Sequence, residues 1–121
     1  MTRRWSSERG AATVFALAVV ALLVLVAVAC GVAVAVFAGH RRAEAAADLA
    51  ALAGAQALQG GADPCGSAQR MAVDNGAALD SCAVDGPDVV VTVHITLDAL
   101  GRVLRSATPR LPARARAGPV G

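Results

Sequence analysis

The chain has 121 residues, of which 56% are hydrophobic and 17% are charged. This length allows one domain at most, and so high a hydrophobic fraction excludes a disordered chain. The formal net charge of +2 is too small to indicate a nucleic-acid partner. The three aromatic residues, Trp5, Phe15 and Phe37, lie in the first third of the chain, so the remainder has no ring that could stack on a base. We therefore expect no nucleic-acid-binding function.

Residues 1–10 form a short basic leader with three arginines and with Trp5, a residue type common at the headgroup region of membranes. By the positive-inside rule such a leader stays in the cytoplasm. Because Arg41 and Arg42 lie beyond the apolar run that follows, charge alone favours this orientation only modestly.

Ala11–Gly39 is a run of 29 residues without a charge. About 20 residues in helical form span the hydrocarbon core, and a helix satisfies its own backbone hydrogen bonds there. A secretory signal peptide has an apolar region of only about 7–15 residues. The run therefore predicts a transmembrane helix at residues 11–39. Lipoprotein processing at Cys30 stays open as an alternative, because the small residues Ala27 and Ala29 precede it; otherwise Cys30 is a small apolar residue facing lipid or another helix.

Small residues recur at every fourth position of this run, at Ala27, Gly31, Ala35 and Gly39. Such spacing lets two helices approach closely, although the abundance of alanine can also produce it by chance. Residues 40–59 contain no proline and many alanines, so we expect the helix to continue beyond the membrane.

On a helical wheel, one face of residues 40–59 carries only small side chains: Ala43, Ala46, Ala47, Ala50, Ala53, Gly54 and Ala57. Ala51 lies near the margin of this face. The opposite face mixes charged, amide and apolar residues: Glu44, Asp48, Leu49, Leu52, Gln56 and Gln59. A face of small residues suits close packing against another helix or a sheet. The candidate packing positions are Ala43, Ala46, Ala50, Ala53 and Gly54.

The apolar helix is entered through Arg9-Gly10-Ala11 and is followed by a basic pair and by Ala-x-Ala-Ala-Ala-Asp-Leu-Ala-Ala-Leu-Ala-Gly-Ala at Ala43–Ala55. Over about Glu8–Ala55 the chain resembles TadE/TadG-like proteins, which are pilin-like membrane proteins linked to Tad (Flp) pilus assembly. It is similar in particular to the short TadE-like proteins encoded near secretion ATPases in actinobacteria. The resemblance is carried by Gly10, Asp48, Leu49, Ala50, Ala51, Leu52, Ala53 and Gly54.

The resemblance implies a structural or assembly component of a Tad/Flp-type pilus or secretion apparatus, with other proteins of that apparatus as partners. The family and the type IV pilins carry a Glu about five residues after the Gly. Counting from Gly10, that position is Phe15. Because of this departure, we expect the leader Met1–Gly10 to be retained.

Residues 60–121 predict a small α+β domain with a short antiparallel sheet. Gly60-Gly61 ends the long helix, and Asp63-Pro64 can cap and begin another. We predict a helix from Asp63-Pro64 to about Asn75, ended by Gly76, and then two strands at Leu79–Asp85 and Val89–Leu97. A turn and short helix or loop follow at Asp98–Thr108. Thr108–Pro119 is predicted to form an edge strand or an extended tail.

Val89–Leu97 carries the clearest strand pattern of the chain, because apolar residues on one side alternate with Val90, Thr92, His94 and Thr96 on the other, and most of them are β-branched. The side predicted to face a core consists of Val89, Val91, Val93, Ile95 and Leu97. His94 lies on the other side, where we interpret it as a solvated strand residue.

Cys65 and Cys82 bracket the short helix and close a loop of about 17 residues, for which a disulfide contributes roughly 3 kcal/mol. A zinc site would need four ligands, and His40 and His94 are poorly placed to complete one. A domain this small with no aromatic residue needs such a crosslink. We therefore predict a disulfide, which also places the C-terminal domain outside the cytoplasm.

The sequence shows no constellation typical of an enzyme, so we expect no catalytic, cofactor or metal site and no small-molecule substrate. Four aspartates crowd the predicted helix end and turn, but their spacing does not match a calcium-binding loop: Asp74, Asp80, Asp85 and Asp88.

The sequence thus predicts a membrane-anchored, pilin-like α+β protein with a cytoplasmic leader (1–10), a transmembrane helix (11–39), an extracytoplasmic extension (40–59) and a disulfide-stapled ectodomain (60–121). Two functions remain open. One is a component of a Tad/Flp-type pilus or secretion apparatus at the cell envelope. The other is a free-standing membrane-anchored protein, or a lipoprotein, that binds an extracytoplasmic ligand.

Overall fold

A computed structural model of the chain describes residues 4–105 and 108–120, without the side chains of residues 4–7, 9, 99 and 104. Met1–Arg3 of the predicted leader lie outside the described residues, as does the side chain of Trp5. The elements in chain order are α1 (Arg4–Gln59), α2 (Pro64–Asp74), β1 (Ala78–Asp85), β2 (Asp88–Thr96), α3 (Asp98–Leu104) and β3 (Arg110–Ala117). The predicted α+β class is confirmed.

The apolar run and the alanine-rich segment after it form one continuous helix, as predicted. α1 has 56 residues, and it is long and apolar enough to cross a membrane. Between Val14 and Phe37 its large apolar side chains are exposed, except for the half-buried Val32. Contacts divide the chain into a first unit, residues 1–35, and a second unit, residues 36–121; the sheet and the other two helices belong to the second unit.

The three strands form one antiparallel sheet in the order β1-β2-β3, with β2 in the centre. A tight turn joins β1 to β2, and its Gly86 has a φ of 58°, a backbone region that favours glycine. β3 is an edge strand, as the prolines around it predict, since Pro112 has no N–H to donate to a further strand.

The inner face of the sheet forms the core of the second unit. Val89, Val91, Val93 and Ile95 are buried, as the alternation in β2 predicts, and Leu97 is half-buried. The small residues of α1 and α2 cover them, chiefly Ala43, Ala46, Ala47, Ala50, Ala51, Ala55, Ala68 and Ala72. With so little side chain between them, the helix backbones lie close to the sheet.

α2 is tied to the sheet by the predicted disulfide between Cys65 and Cys82, whose Cα atoms are 5.8 Å apart. The helix ends as predicted, with Asn75 as its C-cap and Gly76 at a φ of 74°. Its start differs from the prediction. Asp63 is the N-cap residue, but its side chain makes no capping hydrogen bond. Its carboxylate instead lies against Gly66, in the space that a Cβ would occupy there.

Candidate functional site

The small-residue face of α1 is covered by the protein's own sheet. Ala43, Ala46 and Ala50 are fully buried, Gly54 is buried, and Ala53 is half-buried at the flank. Ala51, which the helical wheel places near the margin of the face, is also fully buried. The wheel position of Ala51 was misleading because α2 and the sheet together cover a wider arc of α1 than a single partner would.

Two glycines show how closely α1 lies against the sheet. A Cβ placed on Gly54 would lie 3.0 Å from Cγ1 of Val89 and 3.1 Å from the carbonyl oxygen of Pro64. A Cβ placed on Gly39 would lie 2.7 Å from Cδ1 of Leu111 and 3.0 Å from Cδ2 of Leu97. α1 therefore runs antiparallel to β2, with the start of β2 at Gly54 and its end at Gly39.

This packing changes the interpretation of the four-residue repeat of small side chains. Gly39, its last member, is buried by the sheet. Ala27, Gly31 and Ala35 are exposed. Sequence reasoning missed the role of Gly39, because a glycine that receives a neighbouring sheet has the same spacing as one that receives another helix.

The opposite face of α1 has no cover from the described residues. Leu49 is 42% exposed and Leu52 is 50% exposed, and Ala45, Asp48 and Gln56 are exposed beside them. At roughly 100° per residue, Asp48 and Leu52 lie nearly opposite Ala50, whereas Leu49 lies on the flank between the two faces. The motif at residues 48–54 is thus divided, with Ala50, Ala51 and Gly54 on the sheet and Asp48, Leu49 and Leu52 on the open side.

The outer face of the sheet carries a pair that corrects the interpretation of His94. Its Nδ1 lies 2.6 Å from Oδ1 of Asp80, and its side chain is only 13% exposed, so it is not a solvated residue. The pair depends on a β-bulge between Leu79 and Ser81. The extra residue, Asp80, points to the outer face, and the bulge also returns Cys82 to the inner face. A bulge of this kind gives no alternating signal in the sequence.

The β1–β2 turn carries a small ion-pair cluster. Nη2 of Arg116 lies 2.6 Å from Oδ2 of Asp88 and 3.0 Å from Oδ2 of Asp85. Nε of Arg116 also donates a hydrogen bond to Asp88. The hydrogen bond and charge of Asp88, with a smaller effect of Asp85, raise the pKa of Arg116. Two of the four clustered aspartates therefore neutralise an arginine.

An open depression lies between α1 and the end of α2, lined by Arg42, Ala45, Ala46, Asp74, Asn75 and Gly76. Among the described residues no polar side chain is buried, so no desolvated donor or acceptor points into it. Specific small-molecule sites normally hold such groups. The depression therefore has the lining of a surface recess between two helices.

Residues 10–57 match the family described as "Putative Flp pilus-assembly TadE/G-like". No curated protein and no solved structure matches the chain. The matched segment covers less than half of the chain and lies wholly within α1, so it includes both the sheet-covered face and the open face with Leu49 and Leu52. Residues 10–57 are thus similar to the TadE/G-like proteins of Flp pilus assembly.

Proposed function

We propose that the protein is a non-enzymatic, pilin-like structural or assembly component of a Tad/Flp-type pilus or secretion apparatus at the cell envelope. The match of residues 10–57 to the TadE/G-like family supports an association with the Tad pilus. The observation that carries the proposal is the exposure of Leu49 and Leu52 on the side of α1 that its own domain leaves open.

The open face has the pattern of a surface that packs against another helix. Ala45 and Leu52 are seven residues apart, as are Leu49 and Gln56. This seven-residue spacing places all four on one seam of a helix that packs against a neighbour at a shallow angle. An isolated, solvated helix gains nothing from two leucines on that seam. We therefore assign the seam Ala45, Leu49, Leu52 and Gln56 to contact with a helix of another subunit of the apparatus.

The proposed topology has the N-terminus in the cytoplasm and residues 60–121 outside. The arginines of the leader support it through the positive-inside rule. The disulfide between Cys65 and Cys82 supports it because such bonds persist outside the cytoplasm.

The proposal is tested by placing a photocrosslinking amino acid at Leu49 or Leu52 in full-length protein expressed in its native cells. Val84 serves as the matched control, because it is also an exposed apolar residue of the second unit, at 47%, but lies on β1 and not on the seam. We expect adducts with another subunit of the pilus or secretion apparatus from the two leucine positions and none from Val84. If the leucine positions give no adduct while the full-length protein is isolated as a monomer, the assembly function is refuted.

A free-standing ligand-binding protein is the competing function. It predicts that the monomer binds a small molecule in the depression beside Arg42 and Asp74. Substituting Arg42→Gln would then abolish binding of that molecule, whereas the assembly function predicts no such ligand.

A further inference from the structure

The connection between β2 and β3 is attached to α1 at one point, Gly39. Leu97 is the N-cap residue of α3, and its Cδ2 lies 3.0 Å from the Cβ position of Gly39. Leu111, at the start of β3, lies on the same glycine at 2.7 Å. Both ends of the connection are therefore held against α1 at Gly39.

Gly39 is also the point where the chain leaves its apolar run, because His40, Arg41 and Arg42 follow it. The guanidinium carbon of Arg41 lies 5.2 Å from the centroid of the Phe37 ring. An arginine that folds back along the last apolar turn while its charge stays at the surface is typical of the membrane interface. A boundary of the membrane at this end of the apolar run would place the headgroup region beside the attachment point of the connection.

The short length of α3 keeps this helix close to the level of the headgroup region. Seven helical residues extend about 10 Å at roughly 1.5 Å per residue. The headgroup region on one side of a bilayer is about 5–8 Å thick, from the difference between the whole bilayer and its hydrocarbon core. A helix of that length which starts next to Gly39 remains within or directly above this layer.

The residues of the connection between β2 and β3 suit contact with the headgroup region of a membrane. Val103 is 78% exposed, and Arg102, Arg105 and Arg110 are exposed around it. Asp98 is the only acidic residue between 97 and 110. At the other end of the sheet, the β1–β2 turn carries acidic residues instead. The basic end of the sheet is thus the end that lies at Gly39.

We propose that α3 and the residue after it, 98–105, form a second membrane contact, in which Val103 enters the headgroup region and Arg102 and Arg105 bind the phosphates of lipid headgroups. An apolar side chain flanked by arginines is the combination that binds to lipid surfaces. The inference depends on the membrane insertion of α1, which is part of the proposed function, but not on a role in a pilus.

The test measures the depth of nitroxide labels on full-length protein in phosphatidylcholine vesicles with and without phosphatidylglycerol. Each protein carries one label. The test label is placed at Val103→Cys and the control label at Val84→Cys, both in protein with Cys30→Ala. A label on native Cys30 in a third protein reports the insertion of α1. We expect the Val103 label to be several-fold more accessible to oxygen, relative to a water-soluble nickel complex, than the Val84 label.

The second membrane contact is overturned if the Val103 label is as accessible to water as the Val84 label while the Cys30 label lies in hydrocarbon. That result would leave the membrane insertion of α1 intact. A Cys30 label in water overturns both. Combining Arg102→Gln and Arg105→Gln is expected to move the Val103 label toward water, and more so in vesicles with phosphatidylglycerol. No shift in either lipid overturns the assignment of Arg102 and Arg105 to phosphate, provided that the Val84 label is unchanged as evidence of folding.

Discussion

The close approach of α1 to its sheet predicts that bulk at Ala50 destabilises the second unit. Ala50 is fully buried. One turn further along the helix, a Cβ on Gly54 would already lie 3.0 Å from Val89. Ala50→Leu replaces a methyl group by an isobutyl group, and the space between α1 and the sheet is too small for it. The sheet, the helix or both must then move.

The expected magnitude follows from the cost of overpacking a well-packed core, which is typically about 1–3 kcal/mol. Helix propensity offsets almost none of it, because leucine is nearly as good a helix former as alanine. A loss of that size makes the opening of the sheet roughly 5–150-fold more frequent.

The assay is hydrogen exchange of the β2 amides in full-length protein in detergent micelles, followed by mass spectrometry. Ala45→Leu is the matched control, since it adds the same group to the same helix at an exposed position. We expect faster exchange for Ala50→Leu than for this control. We expect the same for Ala51→Leu, because Ala51 is fully buried although the helical wheel places it near the margin of the small-residue face. Exchange in Ala50→Leu no faster than in Ala45→Leu would refute the close helix–sheet contact.

Three further results are expected. Thiol labelling of the denatured, non-reduced protein should find one free thiol, and three reactive thiols would contradict the disulfide. Replacing both Cys65 and Cys82 by alanine should lower the free energy of unfolding by roughly 3 kcal/mol. Gly54→Ala should speed exchange in β2, because the backbone oxygen of Pro64 beside it cannot move aside. Gly39→Ala should not, because its Cβ meets only the ends of leucine and isoleucine side chains and the helix gains propensity; the reverse order would be inconsistent with the packing. Because the neighbouring carboxylates raise the pKa of Arg116 above its ordinary value, its contribution to stability is complete below the unfolded-state pKa and is lost only as pH rises through the higher folded value. Arg116→Gln should therefore have the same effect on unfolding at pH 7 and pH 10.

Local patterns in the sequence determined the elements of this protein. An uncharged run of 29 residues can satisfy its backbone in lipid only as a helix. The alternation in Val89–Leu97 determines which side chains face a core, because neighbouring residues of a strand point to opposite faces. The spacing of Cys65 and Cys82, with a small core around them, was sufficient to predict their bond.

The tertiary structure alone decided what each face contacts. Periodicity shows which residues share a side of α1, but a sheet and a second subunit demand the same small side chains, so the burial of Ala50 by β2 could not be distinguished from contact with another protein. The pairing of His94 with Asp80 depends on a bulge that shifts one strand by a residue. The open position of Leu49 and Leu52 became visible only once the sheet was placed on the other side of the helix. In each case the deciding contact joins segments that are far apart in the chain. The sequence of one segment alone does not indicate which other segment it contacts.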